Sequence, residues 1–340
     1  MKTRILAAAC AVIIMPGLLR VSADELRKVN NDFDGDGCTD PAVYYPDSGK
    51  WEIFQTLSGT IRTEYLGSGA CRPVPGDYDG DGKADIGVFD TTTATWRGKL
   101  SSGWEGSGIF GRPGCWPVPA DYDGDRTTDL AVYDPQTGYW TAFLSSYQAE
   151  GSVKWGYLGD FRPWETPRTY TVLPMPFDYD QDGLDDLCYY YRGTNMESSA
   201  WSILYMAGKS DYVDYYVWGS SGSLPAPGNY RSRTFDVPRG ICVYKLTTTD
   251  CFVPYMDLFQ LGIFGQTLPV AAGDYDGNGY DDQAVYNYET GMWSIVFNSG
   301  RGDDIASRAK TEFTLGGPNA VPANIYSTIY ALALYSPAPW

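Results

Sequence analysis

The sequence predicts an all-β fold, a β-propeller of four-stranded antiparallel blades, and three observations carry that expectation. An acidic nine-residue loop recurs along the chain, beginning at Asp32, Asp77, Asp121, Asp178, Asn229, Asp274 and Asn324, with spacings of 45, 44, 57, 51, 45 and 50 residues. A period in that range belongs to propellers and solenoids. Trp51, Trp96, Trp140 and Trp293 each fall 19 residues after the first position of their loop, so these copies share one structural unit. Aromatic residues make up 15% of the chain, with 28 Tyr and 11 Trp, which suits packed strands and argues against disorder.

Each copy carries its signals in the same order. A short Pro-rich extended piece, such as Arg72-Pro73-Val74-Pro75-Gly76, precedes the loop, and an alternating run follows it, as at Ile86 and Val88 or Leu130 and Val132. These are two strands joined by the loop. A turn such as Asp134-Pro135-Gln136-Thr137-Gly138 leads into a strand opened by an aromatic residue. A fourth strand ends in a bulky apolar residue and a glycine: Leu66-Gly67, Phe110-Gly111, Leu158-Gly159, Trp218-Gly219, Phe264-Gly265 and Leu315-Gly316. Four short strands per copy favour a closed ring over a linear solenoid. In the fifth copy Cys251 stands at the Trp position. The chain ends at Trp340, soon after the seventh loop position, which leaves seven inner strand pairs and six outer ones. A seven-bladed ring with a thin last blade is the expectation, and six blades plus an appended hairpin is the alternative.

The loops carry the chemistry. Asp77-Tyr78-Asp79-Gly80-Asp81-Gly82-Lys83-Ala84-Asp85 places carboxylates at its first, third, fifth and ninth positions, with a glycine at the sixth where the chain must turn sharply. Calcium takes six to eight oxygen ligands, and this loop offers Asp77, Asp79, Asp81, the carbonyl of Lys83 and a bidentate Asp85. The same logic selects Asp32, Asp34, Asp36, the Cys38 carbonyl and Asp40 in the first copy. In the third it selects Asp121, Asp123, Asp125, the Thr127 carbonyl and Asp129, with Arg126 in place of the turn glycine. The fourth offers Asp178, Asp180, Asp182, the Leu184 carbonyl and Asp186; the sixth offers Asp274, Asp276, Asn278, the Tyr280 carbonyl and Asp282. Up to five Ca²⁺ ions are therefore expected. The nineteen aspartates of these loops would repel one another without them. The fifth copy, with Asn229, Arg231 and Arg233, would repel a metal, and a guanidinium is expected to take over the cation's structural work there. The seventh, at Asn324, has no acidic set.

Charge and composition exclude several functions. A net charge of −17 argues against nucleic acid or an anionic membrane as partner, because a phosphate backbone needs a basic face. The chain has no histidine, which removes Ser-His-Asp and Cys-His catalysis and His-ligated zinc or haem. Residues 1–23 have the pattern of a secretory signal: Lys2 and Arg4, an apolar run from Ile5 to Met15, a Pro16-Gly17 break and Val21-Ser22-Ala23 before Asp24. No later apolar run is long enough to span a bilayer. Export would permit disulfides among the six cysteines that follow the leader, and a Cys242 to Cys251 hairpin bridge and buried free thiols both remain open.

The loops, their spacing and the Phe110-Gly111 and Phe264-Gly265 pairs resemble the FG-GAP (VCBS) repeats of integrin α-subunit propellers and of many exported bacterial proteins. The resemblance covers most of residues 32–340 and implies a propeller over 24–340 whose calcium loops serve structure on one face. Similar propellers adhere to protein partners, hold sugars between blades as fungal lectins do, or accompany polysaccharide lyases. The resemblance thus implies a secreted, periplasmic or cell-surface protein, and a binding or adhesion module for carbohydrate or a cell-surface partner. A polysaccharide-active enzyme, either a calcium-assisted lyase or a carboxylate glycosidase, or its accessory domain, is the alternative. Glu165, Glu197 and Glu289 outside the loops show no pairing that would favour it. The tyrosines of the swollen fourth copy, Tyr189, Tyr190, Tyr191, Tyr205, Tyr212, Tyr215 and Tyr216, are open to sugar stacking or to packing between blades. Arg301-Gly302-Asp303 is best explained by chance.

Overall fold

Inner strands that are buried on both faces and outer strands that face solvent set the architecture. The computed structural model describes residues 29–155, 171–192, 199–206, 213–219, 223–230, 240–245, 250–252, 259–260, 267–270, 272–298 and 310–324. The expected leader at 1–23, Glu165, Glu197, Tyr212, Arg231, Arg233, Leu158-Gly159, Phe264-Gly265 and Arg301-Gly302-Asp303 lie outside these.

Among the described residues the strands form six four-stranded antiparallel sheets. The first holds β1 (Ala42–Tyr45), β2 (Lys50–Gln55) and β3 (Thr60–Tyr65); the second holds β4 (Cys71–Pro73), β5 (Ile86–Asp90), β6 (Thr95–Lys99) and β7 (Glu105–Ile109). The third runs through β8 (Trp116–Pro117), β9 (Leu130–Asp134), β10 (Tyr139–Leu144) and β11 (Ala149–Lys154). The fourth comprises β12 (Thr171–Pro174), β13 (Leu187–Arg192), β14 (Ala200–Leu204) and β15 (Val213–Val217). The fifth comprises β16 (Ser223–Pro225), β17 (Val243–Lys245), β18 (Asp250–Phe252) and β19 (Phe259–Gln260). The sixth comprises β20 (Thr267–Pro269), β21 (Gln283–Asn287), β22 (Met292–Val296) and β23 (Lys310–Thr314), and β24 (Val321–Pro322) follows. This is a β-propeller, and no helix of the described residues is long and apolar enough to cross a membrane.

The expected blade count needs correction. β24, the strand before the seventh loop position, pairs antiparallel with β1, Val43 opposite Pro322 and Tyr44 opposite Val321. It completes the first sheet and opens no thin seventh blade, nor is it an appended hairpin. The physical reason is that the described residues ahead of β1 form no strand, so the first sheet lacks an inner edge, and an unpaired edge is satisfied by the last copy. Asn31 Nδ2 reinforces the seam by donating to the carbonyl of Ala323 at 3.0 Å.

Burial falls from the axis outward. β5 is buried over Ile86 to Phe89, whereas β11 is exposed at every position. Side chains alternate across a strand, so each inner strand serves the core on both its faces. The repeated Trp pairs across its sheet with an aromatic residue of the preceding strand: Tyr44 with Trp51, Phe89 with Trp96, Tyr133 with Trp140, Tyr190 with Trp201 and Tyr286 with Trp293, at ring-centroid distances of 5.0 to 5.6 Å. Such tilted aromatic pairs contribute roughly 0.5–1.5 kcal/mol beyond their burial. Trp201 escaped the 19-residue rule because the connection between β13 and β14 is longer. Cys251 does occupy the Trp position, opposite Tyr244. That register sets Tyr244 across from Cys251 in place of Cys242, so it does not support the hairpin disulfide. Cys71, Cys115 and Cys188 are buried free thiols.

One further expectation changes, and one choice left open is decided. In the third blade Trp155 takes the place assigned to Leu158. Its carbonyl accepts the Trp140 indole N–H at 3.0 Å, as that of Phe110 accepts Trp96 at 3.1 Å, because pairing of Tyr139 with Lys154 fixes where β11 ends. Tyr189, Tyr190, Tyr191 and Tyr205 are buried in one cluster with Trp140, Val172 and Trp201, so they pack between blades and offer no face to a sugar.

Candidate metal centres

The five acidic loops fold on themselves through their own carboxylates. The first-position aspartate accepts the backbone N–H groups ahead of it: Asp77 Oδ1 accepts Gly80 at 2.7 Å and Asp81 at 3.2 Å, and its Oδ2 accepts Gly82 at 2.9 Å. Asp32, Asp121, Asp178 and Asp274 do the same in their loops. The sixth position turns with φ of +88° at Gly82, and Arg126 adopts +73° to make the same bond to Asp121. A non-glycine residue there costs about 1–2 kcal/mol. The fifth-position oxygen of Asp36, Asp81, Asp125, Asp182 or Asn278 accepts the seventh-position N–H of Cys38, Lys83, Thr127, Leu184 or Tyr280 at 2.8 to 3.0 Å.

The ninth aspartate ties the loop to the rest of its blade. Asp85 accepts Tyr78 N–H at 2.8 Å and Ser101 N–H at 2.7 Å; Asp40, Asp129, Asp186 and Asp282 hold Phe33 and Thr56, Tyr122 and Ser145, Tyr179 and Met206, and Tyr275 and Asn298 in the same way. The turn so held also donates hydroxyls to the loop. Ser101 bonds Asp81, Ser102 bonds Asp79 at 2.6 Å, Ser145 bonds Asp125 at 3.0 Å and Ser146 bonds Asp123 at 2.7 Å. These turn residues were missed in the sequence, although a signal was present: Thr56, Ser101, Ser145 and Asn298 each fall 24 residues after the first loop position.

Three carboxylates per loop converge with ligand atoms within 4.8 Å of one another: Asp32, Asp34 and Asp36; Asp77, Asp79 and Asp85; Asp121, Asp123 and Asp129; Asp178, Asp180 and Asp186; Asp274, Asp276 and Asp282. Oxygens about 2.4 Å from one calcium ion can be no farther apart than about 4.8 Å, so the spacing fits. Asp40 stands outside the first triplet, and Asp81, Asp125 and Asp182 outside theirs.

Two observations test the fit. The Oδ1 atoms of Asp34 and Asp123 are buried and hydrogen-bond to nothing among the described residues, while their Oδ2 atoms are tied to the turn. Buried unpaired acceptors are costly, and a cation is the partner that such oxygens suit. Electrostatics agree. Burial, then repulsion from neighbouring loop carboxylates, pushes the carboxyls of Asp40, Asp85 and Asp129 up to about 6, Asp178 to about 7, and Asp186 and Asp282 to about 8, against the opposing backbone hydrogen bonds. Clusters poised in this way release protons when a cation binds. The residues present fit calcium, held by these triplets, and the chemistry it would supply is charge neutralisation.

The loops also grip each other around the axis. The eighth-position N–H of each donates to the first-position carbonyl of the loop before it: Ala84 to Asp32 at 2.6 Å, Thr128 to Asp77 at 2.5 Å, Asp185 to Asp121 at 2.7 Å, Asp281 to Asn229 at 3.3 Å and Thr39 to Asp274 at 2.7 Å. The seventh-position side chain lies on the fourth-position glycine of the preceding loop. A Cβ on Gly35 would sit 2.9 Å from Lys83 Cε, and one on Gly277 would sit 3.0 Å from Cys38 Sγ. Inside this belt is a cavity of about 340 Å³, lined in part by Gly76, Ala120, Phe177, Ala272 and Asn324.

Comparison with protein-family models and with curated proteins gives no match. Solved structures do match. An Agrocybe aegerita lectin that recognises non-reducing terminal N-acetylglucosamine is 11% identical with a TM-score of 0.50, covering 85% of this chain and 96% of its own. A streptogramin B lyase is 9% identical with a TM-score of 0.45, covering 88% and 94%, and the virginiamycin B lyase of Staphylococcus aureus is 10% identical with a TM-score of 0.42, covering 86% and 88%. The likeness to the lectin is one of fold.

Proposed function

We propose that the chain is an exported, calcium-stabilised β-propeller of the FG-GAP type that serves as a binding module, with carbohydrate or a cell-surface partner as its ligand. The observation that carries the calcium role is the recurrence of one convergent carboxylate triplet in five loops. A reaction centre needs one such site, whereas a ring of blades needs one for each blade it fastens.

Binding is then expected where the blades differ. In the second blade Trp104 is 61% exposed beside the acidic loop, at the end of the turn whose Ser101 and Ser102 bond Asp81 and Asp79. Its indole lies against the backbone of Gly106, where a Cβ would come within 1.8 Å of the ring. Gly106 faces Gly98, which faces Gly87, so the blade is bare of side chains along that row. A flat, fixed, exposed indole suits the apolar face of a sugar ring. The similar fold of the lectin supports the carbohydrate half of this reading.

A glycan array probed with calcium and with chelator tests the proposal, alongside Trp104→Ala. Calcium-dependent retention by wild type and loss in the variant, at an unchanged melting temperature, is the expected result. No retention under either condition would eliminate carbohydrate, and release of unsaturated oligosaccharides from an acidic polysaccharide would favour a lyase.

A further inference from the structure

We propose that the loops take up calcium cooperatively, because the belt of eighth-position amides makes each loop part of its neighbour's site. The inference rests on the calcium role proposed above. The eighth residue stands in the chain between two candidate ligands, the seventh-position carbonyl and the ninth-position carboxylate, as Thr128 stands between Thr127 and Asp129. Its N–H is held by the carbonyl of another candidate ligand, Asp77, in the preceding loop. Closing one loop on an ion therefore fixes the strut from which the adjoining loop is built. The second ion then meets a smaller ordering cost, which is positive coupling with no change of overall shape.

Two links are doubled. Asp185 donates its N–H to the Asp121 carbonyl, and its Oδ2 accepts the Asp121 N–H at 2.8 Å; Asp281 clasps Asn229 in the same two-pronged way, with Oδ2 accepting at 2.5 Å. Neither Asp185 nor Asp281 belongs to a ligand triplet. Their place in the fold is explained by the link, so they act as positioning residues. The fifth loop lacks the carboxylates but keeps the connection. Asn229 Oδ1 accepts Gln181 Nε2 of the fourth loop at 2.6 Å, while its backbone is held by Asp281 of the sixth. Asn229 is thus a metal-free bridge between the two calcium loops on either side, and the circuit runs unbroken from the fourth loop through it to the sixth, first, second and third.

Calorimetric titration of the chelator-stripped full chain with calcium chloride decides the matter. Wild type is expected to bind five ions with a Hill coefficient above one. Asp185→Ala removes the acceptor for Asp121 N–H and should weaken calcium binding about fivefold or more with a lower Hill coefficient. Asp185→Asn removes the same charge but retains an acceptor oxygen, and should stay near wild type. Equal weakening in both variants would show that charge alone matters and overturn the coupling, as would five ions bound by wild type with a Hill coefficient of one. Should Asp185→Ala not fold, Asn229→Ala leaves every ligand triplet intact and is expected to keep five ions at reduced cooperativity; unchanged cooperativity there counts against the proposal. A wild-type chain that binds no calcium at all removes the calcium role and the coupling with it.

Discussion

Asp85 and Ser101 are 16 residues apart, and the Asp85 carboxylate accepts the Ser101 amide at 2.7 Å, so the acidic loop and the β6–β7 turn of the second blade are one unit. Whatever orders the loop also orders the turn that carries Trp104.

Calcium should therefore raise the melting temperature, and chelator should lower it. A ligand present at a hundred times its Kd stabilises by about 2.7 kcal/mol per site. Asp85→Ala should cost about 5 kcal/mol or more at that calcium level, from one lost ion and two amides left without an acceptor, with calcium stoichiometry reduced by one. Differential scanning calorimetry with and without chelator measures both. A chain indifferent to chelator would show that the loops hold no structural ion.

The pH dependence should change sign with calcium. In the metal-free chain Asp40, Asp85 and Asp129 stand at about 6 and Asp186 and Asp282 at about 8, above the value of about 3.9 for an unfolded aspartate. The folded chain binds more protons than the unfolded chain over that interval. The resulting stability is complete below about pH 4 and is lost as pH rises through about 6 and then about 8. Calcium removes those protons, so its stabilising effect should grow from pH 5 to pH 8. Melting series in chelator and in calcium check this, and a chelated chain that gains stability toward pH 8 would contradict it.

Arg126→Gly should stabilise the third loop. The position has φ of +73°, and glycine adopts it without the crowding that an arginine Cβ suffers. A gain of about 1 kcal/mol is expected, with tighter calcium binding at that loop. Thermal melts and calcium titration of the variant read both quantities.

Trp201→Ala should cost about 3–5 kcal/mol, because the indole is fully buried against Tyr190. The buried tyrosines around it give no surface to a ligand, so a variant that still folds should retain glycan binding. Chemical denaturation gives the first quantity and an array the second.

Truncation after Ala320 should open the ring at the first blade by removing β24, which pairs with Val43 and Tyr44. Hydrogen exchange is expected to show lost protection over 42–45 and little change in the third blade. Uniform protection would mean that β1 needs no inner partner.

Periodicity made the strands, the acidic loops and the Trp position legible, since each recurs at fixed spacing. Closure was not legible: the pairing of Val321 with Tyr44 joins residues at opposite ends of the chain, and no local pattern encodes it. Tyr189 to Tyr191 left packing and sugar stacking both open for a related reason. A run of tyrosines gives composition without direction, and only the neighbouring blade determines that all three are buried. The clasp between Asp185 and Asp121 also escaped notice, because a residue next to a ligand looks like surplus acid until its partner across the belt is known.

Closure by β24 also dictates an order of events. Asn31 waits for Ala323, 292 residues later, so the first sheet cannot be finished until the chain has been made as far as β24. Contacts so distant in sequence are slow to form. The innermost edge of the first sheet stays unpaired until β24 arrives, which leaves it exposed to a wrong partner, another copy of this chain included.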